Sequence, residues 1–131
     1  MNELEIQSRI RLALGQRPDL RLFRNVSTHC YTGRPVSQAG GLLTLADAHP
    51  IRAGLFVGSS DLIGWRTKTI NVLNPDGTIK PTRVAVFASV EVKTPRGKTS
   101  PEQDTWLAAV HNAGGIQGVV RSVEDAERLF P

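Results

Sequence analysis

Two charged residues separated by one position are the sharpest candidate for chemistry in this sequence. Glu91 and Lys93 flank Val92 at the end of a segment rich in Val, Ala and Phe, which predicts a buried strand. Because side chains two positions apart in a strand point to the same face, the carboxylate and the ammonium group are expected to lie side by side. Burying two such charges is costly unless they are paired or functional.

A second carboxylate occupies a similar place earlier in the chain. Asp61 follows Gly58, Ser59 and Ser60 and begins another predicted strand. If the two strands are neighbours, Asp61 and Glu91 can hold one cation between them. Two carboxylate oxygens, together with water and a phosphate oxygen, form a typical Mg²⁺ site. The sequence therefore predicts a divalent-metal site where these strands end.

Each of these side chains also has an ordinary structural explanation. Taken alone, Glu91 and Lys93 are better explained as a same-face ion pair on an edge strand. Asp61, which follows two serines, can cap a turn. Only the order of all the motifs along the chain favours chemistry over these explanations.

The elements that must position these residues follow from hydrophobic periodicity and turn residues. Helical spacing of apolar residues from Leu4 onward predicts a first helix that ends at Gly15 and Pro18. Alternation over residues 20–26 predicts a first strand. Residues 28–58 are interrupted repeatedly by glycine and proline, and we expect a long irregular loop with short strands or one turn of helix.

Three further strands are predicted in the middle of the chain. Residues 61–66 and 69–73 form the first two, and residues 83–93 form the third. Residues 74–77 read Asn-Pro-Asp-Gly, a turn that joins the second strand to the third. The apolar run at residues 84–88 lacks alternation, which is typical of a central strand covered on both faces.

The last third of the chain predicts a helix, a strand and a helix. Ser100 and Gln103 form a capping box that begins the first helix, and two glycines end it. Residues 116–120 predict a strand, and Ser122 caps the last helix. A helix between two strands indicates a parallel βαβ unit. We therefore expect residues 1–131 to form a single α/β domain with a mixed central sheet flanked by helices.

Composition excludes several classes of protein. The 131 residues include 16 Lys and Arg against 12 Asp and Glu, and the net charge of +4 permits a polyanionic partner. A single cysteine excludes a disulfide framework and an all-cysteine zinc site. No apolar run is long enough to span a bilayer, and the first residues lack the features of a signal peptide. We expect a cytoplasmic protein with no membrane partner.

The ordered motifs resemble those of the PD-(D/E)XK nuclease superfamily, and more narrowly those of its VRR-NUC branch, the small nucleases of phages and bacteria. The resemblance extends nearly from end to end of the chain and implies a restriction-endonuclease-like PD-(D/E)XK core. A lone Glu-x-Lys is a weak signal, whereas the ordered set is much more specific. The matching segments are Glu3-x-x-Ile6-Gln7, Arg24-Asn25, Gly58-Ser59-Ser60-Asp61, Glu91-Val92-Lys93, Ser100-Pro101-Glu102-Gln103 and Ala113-Gly114-Gly115.

The resemblance implies a role for each residue of the central motif. Asp61 and Glu91 would be the metal-binding carboxylates, and the Val92 carbonyl would supply a further oxygen ligand. Lys93 would be the catalytic lysine, which positions or deprotonates water and offsets the charge that develops on the phosphate. The implied cofactor is Mg²⁺ or Mn²⁺.

Two residues on helices complete the implied catalytic set. Glu3 resembles the first-helix acid that binds the metal directly or through water, and Glu5 can take that role in another helix register. The alternative for Glu3 is a solvated acid that complements the helix dipole. Gln103 resembles a glutamine close to the site, but it is equally explained as the capping-box partner of Ser100.

The chain departs from the family pattern in two places. Ser60 stands where the family usually has proline before the aspartate, which is tolerable because proline supplies no ligand. The stretch between Asp61 and Glu91 is also long. We interpret that stretch as an extended hairpin that leaves both carboxylates in place.

The resemblance further implies a DNA endonuclease that selects branched DNA such as Holliday junctions. It would act as a homodimer in replication, repair or recombination, in the cytoplasm of a bacterium or a phage-infected host. Two alternatives stay open, a DNA-binding module of the same fold that does not cleave and a nuclease component that needs a helicase or packaging partner. Basic residues near the predicted site favour phosphate contact as a group. Those expected to bind DNA are Arg24, Arg66, Lys68, Arg96 and Lys98.

Overall fold

The chain folds into three helices and six strands, and the mixed α/β class that the sequence predicts is confirmed. The computed structural model describes all 131 residues. None of its helices has the length and apolar character needed to cross a bilayer. In chain order the elements are α1 (Glu3–Leu14), β1 (Leu20–Arg24), β2 (Thr28–Ala39), β3 (Leu42–Ala53), β4 (Leu62–Leu73), β5 (Ile79–Val92), α2 (Pro101–Asn112), β6 (Ile116–Val120) and α3 (Val123–Leu129).

The main sheet has four strands in the order β1-β4-β5-β6. β4 pairs with β1 and with β5 in antiparallel fashion. β5 and β6 are parallel neighbours, because α2 returns the chain to the same end of the sheet before β6 begins. The predicted βαβ unit is therefore present, and the sheet is mixed in direction.

Helices cover both faces of the main sheet. The Trp106 indole of α2 donates to the Ser89 hydroxyl at 2.8 Å, which places α2 on the face to which Ser89 points. Val90 points to the opposite face because successive strand residues alternate. There it joins residues of α1 and α3 in the hydrophobic core. The buried core cluster contains Ile6, Ile10, Leu14, Leu20, Leu62, Ala88, Val90, Val92, Val120, Ala126 and Phe130.

The predicted helix caps are present. Ser100 caps α2 in a capping box with Gln103, and Ser122 caps α3. Gly114 follows α2 with φ of 86°, a left-handed conformation that glycine adopts at little cost. These caps fix where α2 begins, which matters because Gln103 lies in its first turn.

The long β4–β5 hairpin corrects two expectations. Residues 61–66 and 69–73 do not form separate strands, because β4 runs without a break over Leu62–Leu73. β5 is buried only from Ala88 to Val92, whereas Phe87 is 41% exposed. The expectation that residues 84–88 are covered on both faces is therefore wrong for most of that run. The two strands continue past the helices, so their far ends meet solvent.

The region expected to be an irregular loop is instead a second hairpin. β2 and β3 are twelve-residue strands that pair only with each other and form a separate two-stranded sheet. Gly40 and Gly41 turn the chain with positive φ values, and the register of the pairing shifts at Gly33 and again at Val36. Because almost every residue of the hairpin is exposed, no face is buried and the sequence lacks hydrophobic alternation.

Candidate active site

The pairing of β4 with β5 brings the two predicted metal-binding carboxylates together. Leu62 lies opposite Val90, so Asp61, which directly precedes β4, reaches the end of β5 where Glu91 is found. The Val92 backbone N–H donates to the Asp61 Oδ2 atom at 2.9 Å. Residues thirty positions apart in the chain therefore meet at one end of the sheet, as predicted.

Glu91 is buried, and its two carboxylate oxygens differ in their surroundings. The side chain is 1% exposed. Its Oε1 atom accepts from Gln103 Nε2 at 2.5 Å and lies 2.8 Å from Lys93 Nζ. Its Oε2 atom is buried and has no hydrogen-bond partner. An unpartnered buried carboxylate oxygen is unfavourable, and a bound cation would satisfy it.

Burial changes the protonation equilibria of both carboxyl groups. Desolvation is the largest influence on Glu91 and raises its pKa to about 7, with the negative charge of Asp61 acting in the same direction and Lys93 opposing it. Desolvation also raises the pKa of Asp61, against the hydrogen bond from Val92 and the charge of Lys93. In the metal-free protein, the positive charge near Asp61 and Glu91 is therefore too small to hold the pKa values of both carboxyl groups at their ordinary level.

The Lys93 ammonium group lies between acids from two elements. Its Nζ atom is 2.8 Å from Glu91 Oε1 and 3.9 Å from Glu3 Oε1. Desolvation acts to lower the pKa of Lys93, but the hydrogen bond that Lys93 donates to Glu91 and the charges of the three surrounding acids outweigh it and raise that pKa. Lys93 is therefore held in its charged form beside the two carboxylates.

The choice between the two acids of α1 is resolved by geometry. Glu3 faces the site, since its carboxylate lies near Lys93. Glu5 is exposed and accepts from the Asn2 backbone N–H at 2.8 Å, completing a capping box in which Asn2 Oδ1 accepts from Glu5 N–H. Glu5 is thus engaged in starting α1, and Glu3 is the acid that the helix presents to the site.

Gln103 has both of the roles that the sequence left open. Its Oε1 atom accepts from the Ser100 backbone N–H at 2.8 Å, which completes the capping box of α2. Its Nε2 group donates to Glu91 Oε1 at 2.5 Å. The Gln103 amide therefore caps the N-terminus of α2 through its oxygen and orients the buried Glu91 carboxylate through its nitrogen.

An open cleft of about 400 Å³ adjoins these residues. Its walls come from the first turn of α1, the end of β1, the segment before β4 and the first turn of α2. The volume is within the range of small-molecule sites, and it admits a phosphate group together with water. The lining residues that carry the argument are Glu3, Gln7, Arg24, Asn25, Asp61 and Gln103.

The donor set fits a hard divalent cation that keeps part of its hydration shell. Nowhere does the chain gather three His, Cys, Asp or Glu side chains closely enough to hold a metal ion. Asp61 and Glu91 supply two carboxylates, and the unpartnered Glu91 Oε2 atom provides a free oxygen. Mg²⁺ is commonly bound by one or two carboxylates while water and phosphate complete its shell. Glu3 is better placed as a partner of Lys93 than as a third direct ligand.

Three of the basic residues expected to bind DNA are exposed, and one of them lines the cleft. Arg24 lines the cleft at the end of β1. Arg96 and Lys98 project from the loop between Lys93 and α2. None of the three makes an ion pair within the protein, so their charges are available to an anionic ligand.

The other two basic residues lie elsewhere. The Arg66 guanidinium binds Asp19 at 3.2 Å and also donates to the Pro131 carbonyl oxygen, and its side chain is only 16% exposed. We therefore assign Arg66 a structural role. Lys68 is exposed, but it stands six residues beyond Leu62 along β4, or about 20 Å at the usual rise of a strand. The structure does not group either residue with the carboxylates.

Two residues that organise the site received no role from the sequence. Asn25 belongs to one of the matching segments, and its position directly after a strand was the available signal. It holds the segment that leads into Asp61 through hydrogen bonds to Ser59 and Ser60. Arg121 donates to the Thr94 carbonyl and, at 2.9 Å, to the Gly97 carbonyl, and so fixes the basic loop. No local signal identifies Arg121, because its partners are distant in the sequence.

Comparison with known proteins gives one match. The family model described as the VRR-NUC domain matches residues 44–124, which is more than half of the chain. The matched region contains Asp61, Glu91, Lys93 and Gln103 and leaves out Glu3. No curated protein and no solved structure matches the chain.

Proposed function

The chain belongs to the VRR-NUC family of nucleases, and from this premise we propose that it is a divalent-metal-dependent endonuclease that hydrolyses phosphodiester bonds in DNA. The observation that carries the proposal is the pair formed by Asp61 and Glu91, in which Asp61 lines an open cleft and one Glu91 oxygen is buried without a hydrogen-bond partner. The ion pair with Lys93 uses only the other Glu91 oxygen, so it leaves this one unsatisfied. A site that receives a cation requires such an oxygen.

The residues present divide the chemistry of hydrolysis among them. Asp61, Glu91 and the Val92 carbonyl oxygen would hold Mg²⁺ or Mn²⁺, which when bound polarises the phosphate and lowers the pKa of a coordinated water. Lys93 presents a fixed positive charge where negative charge develops on the phosphate, and it can orient the attacking water. Gln103 keeps the Glu91 carboxylate in place. Glu3 holds the Lys93 ammonium group from the other side.

The DNA backbone is proposed to run across the open side of the cleft. Arg24 lines the cleft, and Arg96 and Lys98 are exposed in the loop that follows Lys93, which supports contacts between these three residues and the DNA phosphates. Contacts of this kind fix the position of DNA but read little sequence. Arg121 supports the arrangement, because it anchors the loop from which Arg96 and Lys98 project.

We propose further that the enzyme selects DNA by its shape. Branched DNA such as a Holliday junction is the proposed substrate, and a homodimer with two sites would make paired cuts on it. Exposed apolar side chains on the β2–β3 hairpin, with Leu42 73% and Tyr31 67% exposed, support a protein partner for that hairpin. The whole of residues 1–131 would act as one nuclease domain in the cytoplasm of a bacterium or a phage-infected host.

A cleavage panel tests the proposal. Purified protein is incubated with synthetic four-way junctions, forks, flaps and linear duplex, in Mg²⁺, in Mn²⁺ and in EDTA. Asp61→Asn is the active-site variant, and Asp76→Asn in the exposed β4–β5 turn is the matched control. We expect junction cleavage with either metal, none in EDTA, and loss of cleavage only in Asp61→Asn.

The alternatives predict other results in the same panel. A DNA-binding module without catalysis would shift the mobility of the junction and leave it uncut in every metal. A partner-dependent nuclease would cut only after a helicase or packaging protein is added. Full cleavage by Asp61→Asn would contradict the assignment of the site.

A further inference from the structure

One uncharged side chain ties the segments around the candidate site together. The Nδ2 group of Asn25 donates to the Ser59 hydroxyl at 2.8 Å and to the Ser60 carbonyl at 2.9 Å. Its Oδ1 atom accepts from the Leu55 backbone N–H at 3.2 Å. Asn25 thereby joins the end of β1 to the segment between β3 and β4.

These contacts hold the peptide groups on both sides of Asp61. The Ser60 carbonyl belongs to the peptide group that precedes Asp61, and it accepts from the Asn25 side chain. The Asp61 carbonyl belongs to the peptide group that follows, and it accepts from the Asn25 backbone N–H at 2.7 Å. Because peptide groups are planar, holding both fixes φ and ψ of Asp61. Asn25 thus sets the direction in which the Asp61 side chain leaves the backbone.

The carboxylate itself has little other support. Asp61 Oδ2 accepts a hydrogen bond from the Val92 N–H, and the only side chain that interacts with the Asp61 carboxyl group through a hydrogen bond is that of Glu91, its partner in the site. Asn25 makes no hydrogen bond to the carboxylate, so it would act through the backbone and not as a ligand. The orientation of Asp61 toward Glu91 therefore depends on how firmly the preceding segment is held.

We propose that Asn25 is a positioning residue for the divalent-metal site, and that it acts by fixing the backbone of Asp61. The inference rests on the proposed function, because it assumes that Asp61 and Glu91 bind a metal ion. Residues that hold a metal ligand in place commonly change metal affinity 10- to 100-fold when they are substituted. We expect loss of the Asn25 amide to weaken Mn²⁺ binding about tenfold.

The experiment measures Mn²⁺ binding to the full chain by electron paramagnetic resonance, without DNA and well below the melting temperature. Asn25→Ala removes the whole amide, and Asn25→Ser is a milder change in case the first variant folds poorly. Ser59→Ala removes one partner of Asn25 but leaves the contact with the Ser60 carbonyl. Asn112→Ala, at the exposed end of α2, is the control.

The expected result separates positioning from general stability. Both Asn25 variants should bind Mn²⁺ about tenfold more weakly, whereas Ser59→Ala and Asn112→Ala should bind it as the wild type does. Cleavage by Asn25→Ala should return toward the wild-type kcat at saturating Mn²⁺. Unchanged Mn²⁺ affinity in both Asn25 variants would overturn the inference, even if their melting temperatures fall.

Two further outcomes keep this inference distinct from the proposed function. A wild-type protein that binds Mn²⁺ and does not cut DNA would defeat the proposed function, while the comparison of Mn²⁺ affinities would still decide the role of Asn25. A wild-type protein that binds no Mn²⁺ would overturn the inference. Equal weakening of Mn²⁺ binding in Ser59→Ala and Asn25→Ala would also overturn the inference. The effect would then come from the whole segment between β3 and β4 and not from the contact of Asn25 with the backbone next to Asp61.

Discussion

Replacing Glu91 with glutamine should stabilise the metal-free protein at neutral pH. The folded state raises the pKa of Glu91 from its ordinary value of 4.5 to about 7, mainly because the side chain is buried. In the unfolded chain the carboxyl group releases its proton at lower pH. Between pH 4.5 and about pH 7 the folded protein binds more protons than the unfolded chain does, so its free energy of unfolding falls as the pH rises. Glutamine keeps the shape of the protonated acid and removes that dependence.

The magnitude follows from the pKa. Each pKa unit corresponds to about 1.4 kcal/mol, so ionised Glu91 costs the metal-free fold about 3 kcal/mol above neutral pH. The side chain is 1% exposed, so solvent screening reduces this figure little. We expect Glu91→Gln to match the wild type near pH 4.5 and to exceed it by up to about 3 kcal/mol at pH 8. In a domain of this size the difference corresponds to a rise in Tm of about 10 °C.

Adding Mn²⁺ should make the wild type more stable than Glu91→Gln. The wild type gains about 4.1 kcal/mol when free Mn²⁺ is a thousand times its Kd, which exceeds the advantage of the variant at pH 8, and the variant should gain nothing. Denaturant unfolding at pH 5 and pH 8, with EDTA or with Mn²⁺, measures both effects. Glu127→Gln, at an exposed position of α3, serves as the control. Two results would contradict this prediction: a lower stability of Glu91→Gln than of the wild type in EDTA at pH 8, or equal stabilisation of both proteins by Mn²⁺.

Three further predictions concern the surroundings of the carboxylates. Ser60→Ala should raise the free energy of unfolding by about 1 kcal/mol in urea, because the Ser60 hydroxyl is fully buried without a partner; a lower stability would show that the hydroxyl is satisfied. Lys93→Met should reduce kcat at least about 100-fold while Mn²⁺ binding persists; a wild-type kcat would exclude an electrostatic role. Arg96→Ala and Lys98→Ala should each lower the slope of log K against log salt for DNA binding by about 1, whereas Arg11→Ala at the far end of α1 should not; unchanged slopes in both would place the DNA elsewhere.

The site was more predictable from the sequence than its surroundings were. Glu91 and Lys93 stand two positions apart in a strand, and a strand has only two faces, so their proximity follows from local geometry. Asp61 requires the pairing of two strands, and the Asn-Pro-Asp-Gly turn between them favours that pairing through the extended hairpin that the sequence suggested. Gln103 is placed by its own capping box. Each of these inferences depends on short-range rules that tertiary packing did not override.

The errors occurred where burial is low or where partners are distant in the sequence. The β2–β3 hairpin has no buried face, so its residues carry no periodic signal, and Gly33 and Pro35 indicate a loop. Arg66 was expected to contact DNA because it is basic and near the motif in sequence. Its ion pair with Asp19 depends on how β1 approaches β4, which no local pattern reveals.

The role of Asn25 was missed for the same physical reason. Its amide bonds to residues more than thirty positions later in the chain, and those contacts exist only after β1 has paired with β4. A single asparagine after a strand is compatible with many turns. The sequence therefore identifies Asn25 as part of a matching segment, but it does not reveal which part of the chain the Asn25 side chain holds.

The most direct test of the central claim is the anomalous scattering of Mn²⁺ in crystals of the protein grown with that ion. We expect a single strong peak between Asp61 and Glu91, at roughly 2.0 to 2.6 Å from a carboxylate oxygen of each, as for other hard cations, with Glu91 Oε2 as one of the ligands. Crystals of a preparation that cleaves DNA in Mn²⁺, yet show no peak there or a peak at other residues, would contradict it.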